Sequence, residues 1–304
     1  MSAGRAEAKL PRRPAAAGPR FFKGHGLGND YIVLRAGRLG FRLNPRAIRL
    51  ICDRHLGIGS DGILLHEGAR GADARMRIFN PDGSEAQKSG NGARIFARYL
   101  SRWGLPGRSV YAIETAGGRI RAQVLAGGTR GGTRFRVDMG SATFDSAALP
   151  MRGRRREAVR ERIGVGGRTL VFTGVSVGNP HAVFFLPRLD PVALRRLGPL
   201  IERHSLFPER TNVQFAHAKT RSRVEAIIWE RGAGETQASG SSACAVASAG
   251  RRLGLLGDRV TVVMPGGTLA IEINASWRIW MTGPAVEVAT GVIGRDLLAR
   301  LRRR

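Results

Sequence analysis

Cysteine is scarce: the 304 residues contain two, Cys52 and Cys244. Two thiols exclude a disulfide framework and fit a reducing cytoplasm, which is the expected location. No run of about 18 apolar residues occurs, so no segment reads as a membrane-crossing helix. The N-terminus lacks an apolar h-region and carries no secretory signal. Residues 1–19, MSAGRAEAKLPRRPAAAGP, read as a disordered Ala/Arg/Pro tail. Cysteine and histidine lack metal-ligand spacing, so no metal is expected. No Walker loop is present, and GHGLGN has its third glycine one position too early for a dinucleotide fingerprint. Acidic residues are few as well: 23 Asp plus Glu stand against 50 Lys plus Arg, a formal charge of +27. A charge of that size raises nucleic-acid binding. The basic residues are scattered, however, apart from RGRRRE at 152–157 and LRRR at the end. They are not interleaved with aromatics and form no zinc-finger or RNP pattern, so nucleic acid is not the expected partner.

What is present is a repeated loop. Residues 87–94 read QKSGNGAR and residues 237–244 read QASGSSAC, with Ser89 over Ser239. The elements around the two loops match. In the first half NPRAIRLICDRHLGIG reads as a helix with Asn44 at its N-cap, Pro45 at its first position and Gly57 as its stop. NGARIFARYLSRWGL reads as a second helix, ended by Gly104. YIVL, GILLHE, ARMRIFN, SVYAIETAGG, RIRAQVLAGG and RFRVDMG read as strands, YIVL following a Gly-rich turn. The second half repeats the plan. LVFTGVSVGNPHAVFFL is a strand pair, and DPVALRRLGPLIERH is a helix capped by Asp190. VEAIIWERG is a strand, SSACAVASAGRRLGLL a helix, and RVTVVMPGGTLAIEIN and WRIWMTGPAVEVATGVI are strands. The expectation is an α+β protein of two related halves meeting at a cleft. The halves are residues 20–150 and 151–285, and the strand near 286–295 returns to the first half.

A helix N-terminus carries unpaired N–H groups and about half a positive charge. Glycines there let an anion approach closely. Gly90 and Asn91 open one such helix, Gly240 and Ser241 the other. If the halves face each other, a small carboxylate is held by both, and Ser89 and Ser239 flank it. Each serine alone is an ordinary N-cap; the matched pair, glycine-rich in both halves, is not explained by capping. Asn29, Asn80, Asn179, His181, Asn212, Glu230 and Arg231 lie at strand ends. Each alone is common turn chemistry, and His181 is read equally well as a core histidine. Together four amides and an arginine suit a polar, zwitterionic ligand.

The chain closely resembles diaminopimelate epimerases. The similar segments are HGLGNDY, CDRHLGIGSDG, RIFNPDGSEAQKSGNGAR, VSVGNPHAV, LGPLIERHSLFPERTNVQF, ERGAGETQASGSSACA, MPGGTLAIE and MTGPA, in order from about residue 21 to 285. The resemblance implies two pseudo-symmetric halves, each a strongly curved mixed sheet around a central helix, closing on an amino-acid substrate. It implies no cofactor: no metal, pyridoxal phosphate or nucleotide. It implies a two-base exchange between LL- and meso-diaminopimelate, in lysine and peptidoglycan biosynthesis. A homodimer is the expected assembly. Substrate contacts carry over to Asn29, Asn80, Gly90, Asn91, Asn179, Asn212, Glu230, Arg231, Gly240 and Ser241, and tuning of the bases to His181 and Glu230.

The family's two bases are cysteines, each directly before a glycine. Those positions are Ser89 and Ser239 here. Cys244 lies five residues past Ser239, inside the following helix, and reads as a small buried apolar residue. A thiol titrates at about 8.5, an alcohol much nearer to water at about 15.7. Serine acts as a base only when another group activates it, and His181 is the candidate for that part. Three readings stand on the sequence. One is a serine-type epimerase of diaminopimelate or another amino acid. The second is an engineered Cys-to-Ser form, and the third a catalytically inert amino-acid binder.

Overall fold

The structure, a computed structural model, describes residues 18–126 and 132–303. Residues 1–17, which make up most of the expected N-terminal tail, lie outside the described residues.

The helices start where the sequence places side-chain acceptors. Asn44 accepts from the Ala47 N–H at 2.9 Å with Pro45 behind it, and Asp190 accepts from Val192 and Ala193 ahead of Pro191. The first half runs β1 (Arg20–Gly26), β2 (Asn29–Arg35), α1 (Pro45–Cys52), β3 (Ile63–Glu67), β4 (Ala74–Phe79), β5 (Glu85–Ala86), α2 (Gly90–Tyr99), β6 (Val110–Thr115), β7 (Gly118–Val124) and β8 (Thr133–Ser141). The second runs β9 (Glu161–Val165), β10 (Arg168–Ser176), β11 (Pro180–Phe185), α3 (Pro191–Glu202), β12 (Asn212–Thr220), β13 (Arg223–Glu230), β14 (Gly234–Thr236), α4 (Gly240–Arg252), β15 (Arg259–Met264), β16 (Gly267–Ile273), β17 (Arg278–Val292) and α5 (Arg295–Arg302).

The strands close into two rings. In the first, β1–β2–β3–β4–β6–β7–β8–β17 returns to β1. In the second, β10–β11–β12–β13–β15–β16–β17 meets β8, and the bridge from Thr143 to Ser176 leads back to β10. Both rings use the same order. Two parallel pairs, β2 with β3 and β4 with β6, are joined through helices; so are β11 with β12 and β13 with β15. Strand β17 belongs to both rings: residues 278–285 pair with β8, and residues 286–292 with β1. The long helices α2 and α4 fill the rings. One core joins them, with Ile95 and Phe96 of α2 and Ala243 and Val246 of α4 in the same apolar cluster. Smaller clusters lie under α3 and between α1 and α5.

Two local readings are corrected and one is refined. Helix α1 ends at Cys52 rather than Gly57, because the Asp53 carboxylate accepts from the His55 and Leu56 N–H groups and turns the chain out of the helix. Helix α2 ends at Gly104 as expected, but its last stretch, Leu100–Gly104, widens from α into one π-turn. Strands β1, β5, β9, β12 and β14 lie where no strand was read. In β1 the residues Phe22, Gly24 and Gly26 alternate inward, and the two glycines hide an ordinary period of two.

Candidate active site

The two serines hold one conformation. Ser89 sits at φ −142° and ψ 120° and accepts from the Gly92 N–H at 3.0 Å; Ser239 sits at φ −138° and ψ 126° and accepts from Ser242 at 3.4 Å. Both are therefore N-caps, and both have a free hydroxyl proton to give elsewhere. The helix starts behind them touch. A Cβ placed on Gly90 would stand 3.0 Å from the Cα of Gly240, and one on Gly240 would stand 2.9 Å from the Cα of Gly90 and 2.8 Å from the Met281 sulfur. Only glycine permits that approach. Gly240→Ala forces backbone apart and costs about 1–3 kcal/mol, read as a lower urea midpoint at unchanged m-value.

A chain of amides ties the halves together at this point. The Asn91 amide donates to the Asn29 carbonyl oxygen at 3.1 Å and to the carbonyl of Ala238, the residue before Ser239, at 3.0 Å. Asn29 in turn donates to Asp61 at 3.0 Å. Asn91 is buried by this network, so it positions the second serine from the first half.

Each serine has a different ionisable neighbour. Ser239 donates to the Glu230 carboxylate at 3.3 Å, with the Ser241 hydroxyl at 3.4 Å. Burial holds the Glu230 carboxyl above the ordinary carboxylate range, against the opposing hydrogen bonds from Thr236 and Ser239. The Ser89 hydroxyl lies 3.3 Å from the phenol of Tyr31, which burial pushes up to about 12. The sequence reading missed Tyr31. Its signal was the strand period: Tyr31 is two residues from Asn29 on β2 and so shares its face.

His181 does not reach either serine. It is fully buried, with the Gln214 amide donating to its Nδ1 at 3.0 Å, so its Nε2–H donates to the Asn179 oxygen at 3.0 Å. Burial pushes its pKa down to about 3. A neutral imidazole with both nitrogens engaged is not placed to activate either serine; Glu230, also expected to tune the bases, lies beside Ser239, and Tyr31 lies beside Ser89. The depressed pKa does affect stability. Stability from His181 is present above its ordinary value of 6.5 and is lost as the pH falls toward 3, because the unfolded state takes up the proton first. His66, pushed down to about 4 by burial, acts in the same direction. His181→Gln therefore flattens the fall in unfolding free energy between pH 6.5 and 4.5, measured by denaturant titration at each pH.

The remaining candidates divide. Asn212 is buried between the Pro180 carbonyl, at 2.8 Å, and the Arg231 N–H, at 2.9 Å. Arg231 is exposed and donates to the Glu209 carbonyl. Asn179 meets only His181 among the candidates. Asn80 bonds to Ser84 within its own turn at 3.0 Å and to no other candidate among the described residues. Both cysteines are buried thiols raised by desolvation, Cys244 to about 12, and neither is a thiolate.

Two rings whose central helices start at a shared seam, with one capping hydroxyl on each, make a fold that solved racemase and epimerase structures share. The solved structure of a hydroxyproline epimerase from Agrobacterium vitis superposes with a TM-score of 0.70 at 16% identity, over 91% of this chain and 93% of that one. Sequence narrows the class. The family described as diaminopimelate epimerase matches residues 21–144 and 173–288. A relative named diaminopimelate epimerase 2, from Nostoc sp., is 43% identical over 281 residues, 92% of this chain and 97% of that protein. The diaminopimelate epimerase of Desulforudis audaxviator is 44% identical over 273 residues, 89% and 98% of the two chains. The chain belongs to the diaminopimelate epimerase family.

Proposed function

We propose that this protein interconverts LL- and meso-diaminopimelate by moving the α-proton between the two seam serines, in the cytoplasmic supply of lysine and peptidoglycan precursors, with no cofactor. The observation that carries this reading is the matched pair of capping hydroxyls at touching helix starts, each backed by its own ionisable group. The names of the 43–44% identical relatives support the substrate.

The substrate's α-carboxylate lies at the N–H groups of Gly90, Asn91, Gly240 and Ser241, where two helix dipoles converge. Asn29, Asn80, Asn179, Asn212 and Arg231 recognise its amino groups and distal carboxylate. On one face Ser239 takes the proton from Cα while its own passes to the Glu230 carboxylate. The electron pair stays on Cα and spreads into the α-carboxylate. On the other face Ser89 gives its proton to Cα and recovers one from the Tyr31 phenol. One turnover leaves Glu230 protonated and Tyr31 as phenolate, and the reverse turnover or proton exchange with solvent restores both. A carboxylate raised by burial is a stronger base than an exposed one, which offsets part of the weakness of an alcohol.

Incubation with LL-diaminopimelate and chiral chromatography tests the assignment: the meso isomer accumulates to equilibrium. The second reading, an amino-acid binder without turnover, rests on the low acidity of serine. It gains if the ligand binds by calorimetry and no meso isomer forms.

A further inference from the structure

Arg94 is fully buried and is the bulkiest side chain that is so among the described residues. It lies one helical turn below Gly90 on α2, against the seam where α2 and α4 begin. All its partners are neutral. Its Nε donates to the Pro284 carbonyl at 3.1 Å, its Nη1 to the Gly90 carbonyl at 3.4 Å and toward the Met281 sulfur at 3.2 Å, and its Nη2 to the Asn91 oxygen at 2.8 Å. Among the described residues no carboxylate acts on it. Burial lowers its pKa to about 10, which leaves it charged at neutral pH.

The pseudo-symmetry sharpens the point. With Ser89 over Ser239, Arg94 falls over Cys244. That thiol is also fully buried and neutral, and among the described residues no carboxylate faces the guanidinium in its place. The matched position in the other half therefore supplies space, not an opposite charge. A buried cation without a counter-ion is strongly disfavoured, and removing it from water gains nothing in the empty protein. An anion at the helix starts reverses that balance.

We propose that Arg94 is the built-in counter-charge of the seam, so that the anion completing the site comes from the ligand's α-carboxylate and not from the protein. The proposal rests on the reading of the helix starts as the carboxylate seat. Arg94 does not touch the ligand; it is a positioning residue that acts through the Gly90 carbonyl and Asn91. Its full charge adds to the two partial charges of the helices. As Cα loses its proton, negative charge grows on the same carboxylate, in front of a cation fixed in a low-dielectric site.

The test compares ligand charge, which a merely structural arginine would not sense. Three probes are titrated by calorimetry: LL-diaminopimelate, its diamide and inorganic sulfate. In Arg94→Gln the affinity for diaminopimelate falls roughly tenfold or more, while the weak affinity for the diamide changes less than about twofold. Arg94→Lys keeps most of the carboxylate preference. A second variant leaves the arginine in place: Cys244→Asp supplies an internal counter-ion, and Cys244→Ser is its neutral control. The aspartate variant loses carboxylate and sulfate affinity, and the serine variant keeps both. If the unmodified protein ignores diaminopimelate yet binds sulfate in an Arg94-dependent way, the substrate assignment falls and this proposal stands. Equal losses for acid and diamide in Arg94→Gln, or an aspartate variant that binds like its serine control, overturn it.

Discussion

The double variant Ser89→Cys, Ser239→Cys exchanges the α-proton of LL-diaminopimelate about 10²–10⁴ times faster than the unmodified protein under reducing conditions. The site is already shaped for thiols. Both positions are helix N-caps, where a thiolate is stabilised by the helix end and titrates well below its usual value. Cysteine adds no branch and little volume, and each cap bond, to Gly92 or Ser242, has a sulfur acceptor in place of oxygen. What changes is the proton inventory. A thiolate is its own base; a serine hydroxyl must pass its proton on before it can accept another. The two single variants separate the faces. Ser239→Cys removes dependence on Glu230, and Ser89→Cys removes dependence on Tyr31.

Glu230→Gln abolishes exchange in the unmodified protein, a loss of roughly a hundredfold or more. It leaves the double cysteine variant much less affected. That non-additivity is the mark of two groups acting as one base. The pH dependence follows from the raised carboxyl. Glu230 works as the charged form, so exchange falls as the pH drops through a value above the ordinary 4.5. The effect on stability has the opposite sign. A carboxyl whose folded pKa is raised stabilises the fold only below its unfolded value, and that contribution is lost as the pH rises through the folded value. At pH 7 the buried charge is a cost, and Glu230→Gln removes it. Its melting temperature at pH 7 is held or raised, while activity is lost. A variant that is both inactive and unstable would place Glu230 in the packing rather than in the proton path.

Much of this arrangement is legible in the sequence. The matched loops at Ser89 and Ser239 located the starts of both central helices to within one residue, because capping chemistry acts over three or four positions. Asn44–Pro45 and Asp190–Pro191 fixed the flanking helices at their starts for the same reason. Ends were less legible. Asp53 turns α1 aside through side-chain bonds that no apolar period records. The pairing of β17 with both rings, through β8 and β1, depends on partners more than a hundred residues away. Of the two residues expected to tune the bases, the fold sets Glu230 beside a serine and His181 apart from both. His181 was favoured for its type and its polar neighbours in sequence. The fold instead buries it against Gln214 and Asn179, and sets Glu230 and Tyr31 beside the serines. Arg94 gave the weakest signal of all. A charged residue in an apolar helix reads as a solvated side chain until the ring around it is seen to close.

The most direct test of serine-mediated proton transfer is α-deuterium incorporation by the unmodified protein. LL-diaminopimelate is added in deuterated water, and both isomers are recovered early and examined by NMR. Two serines on opposite faces predict deuterium at the inverted centre of the meso product, with protium retained in recovered substrate. Deuterium appearing equally in both isomers, or in neither, would contradict the account.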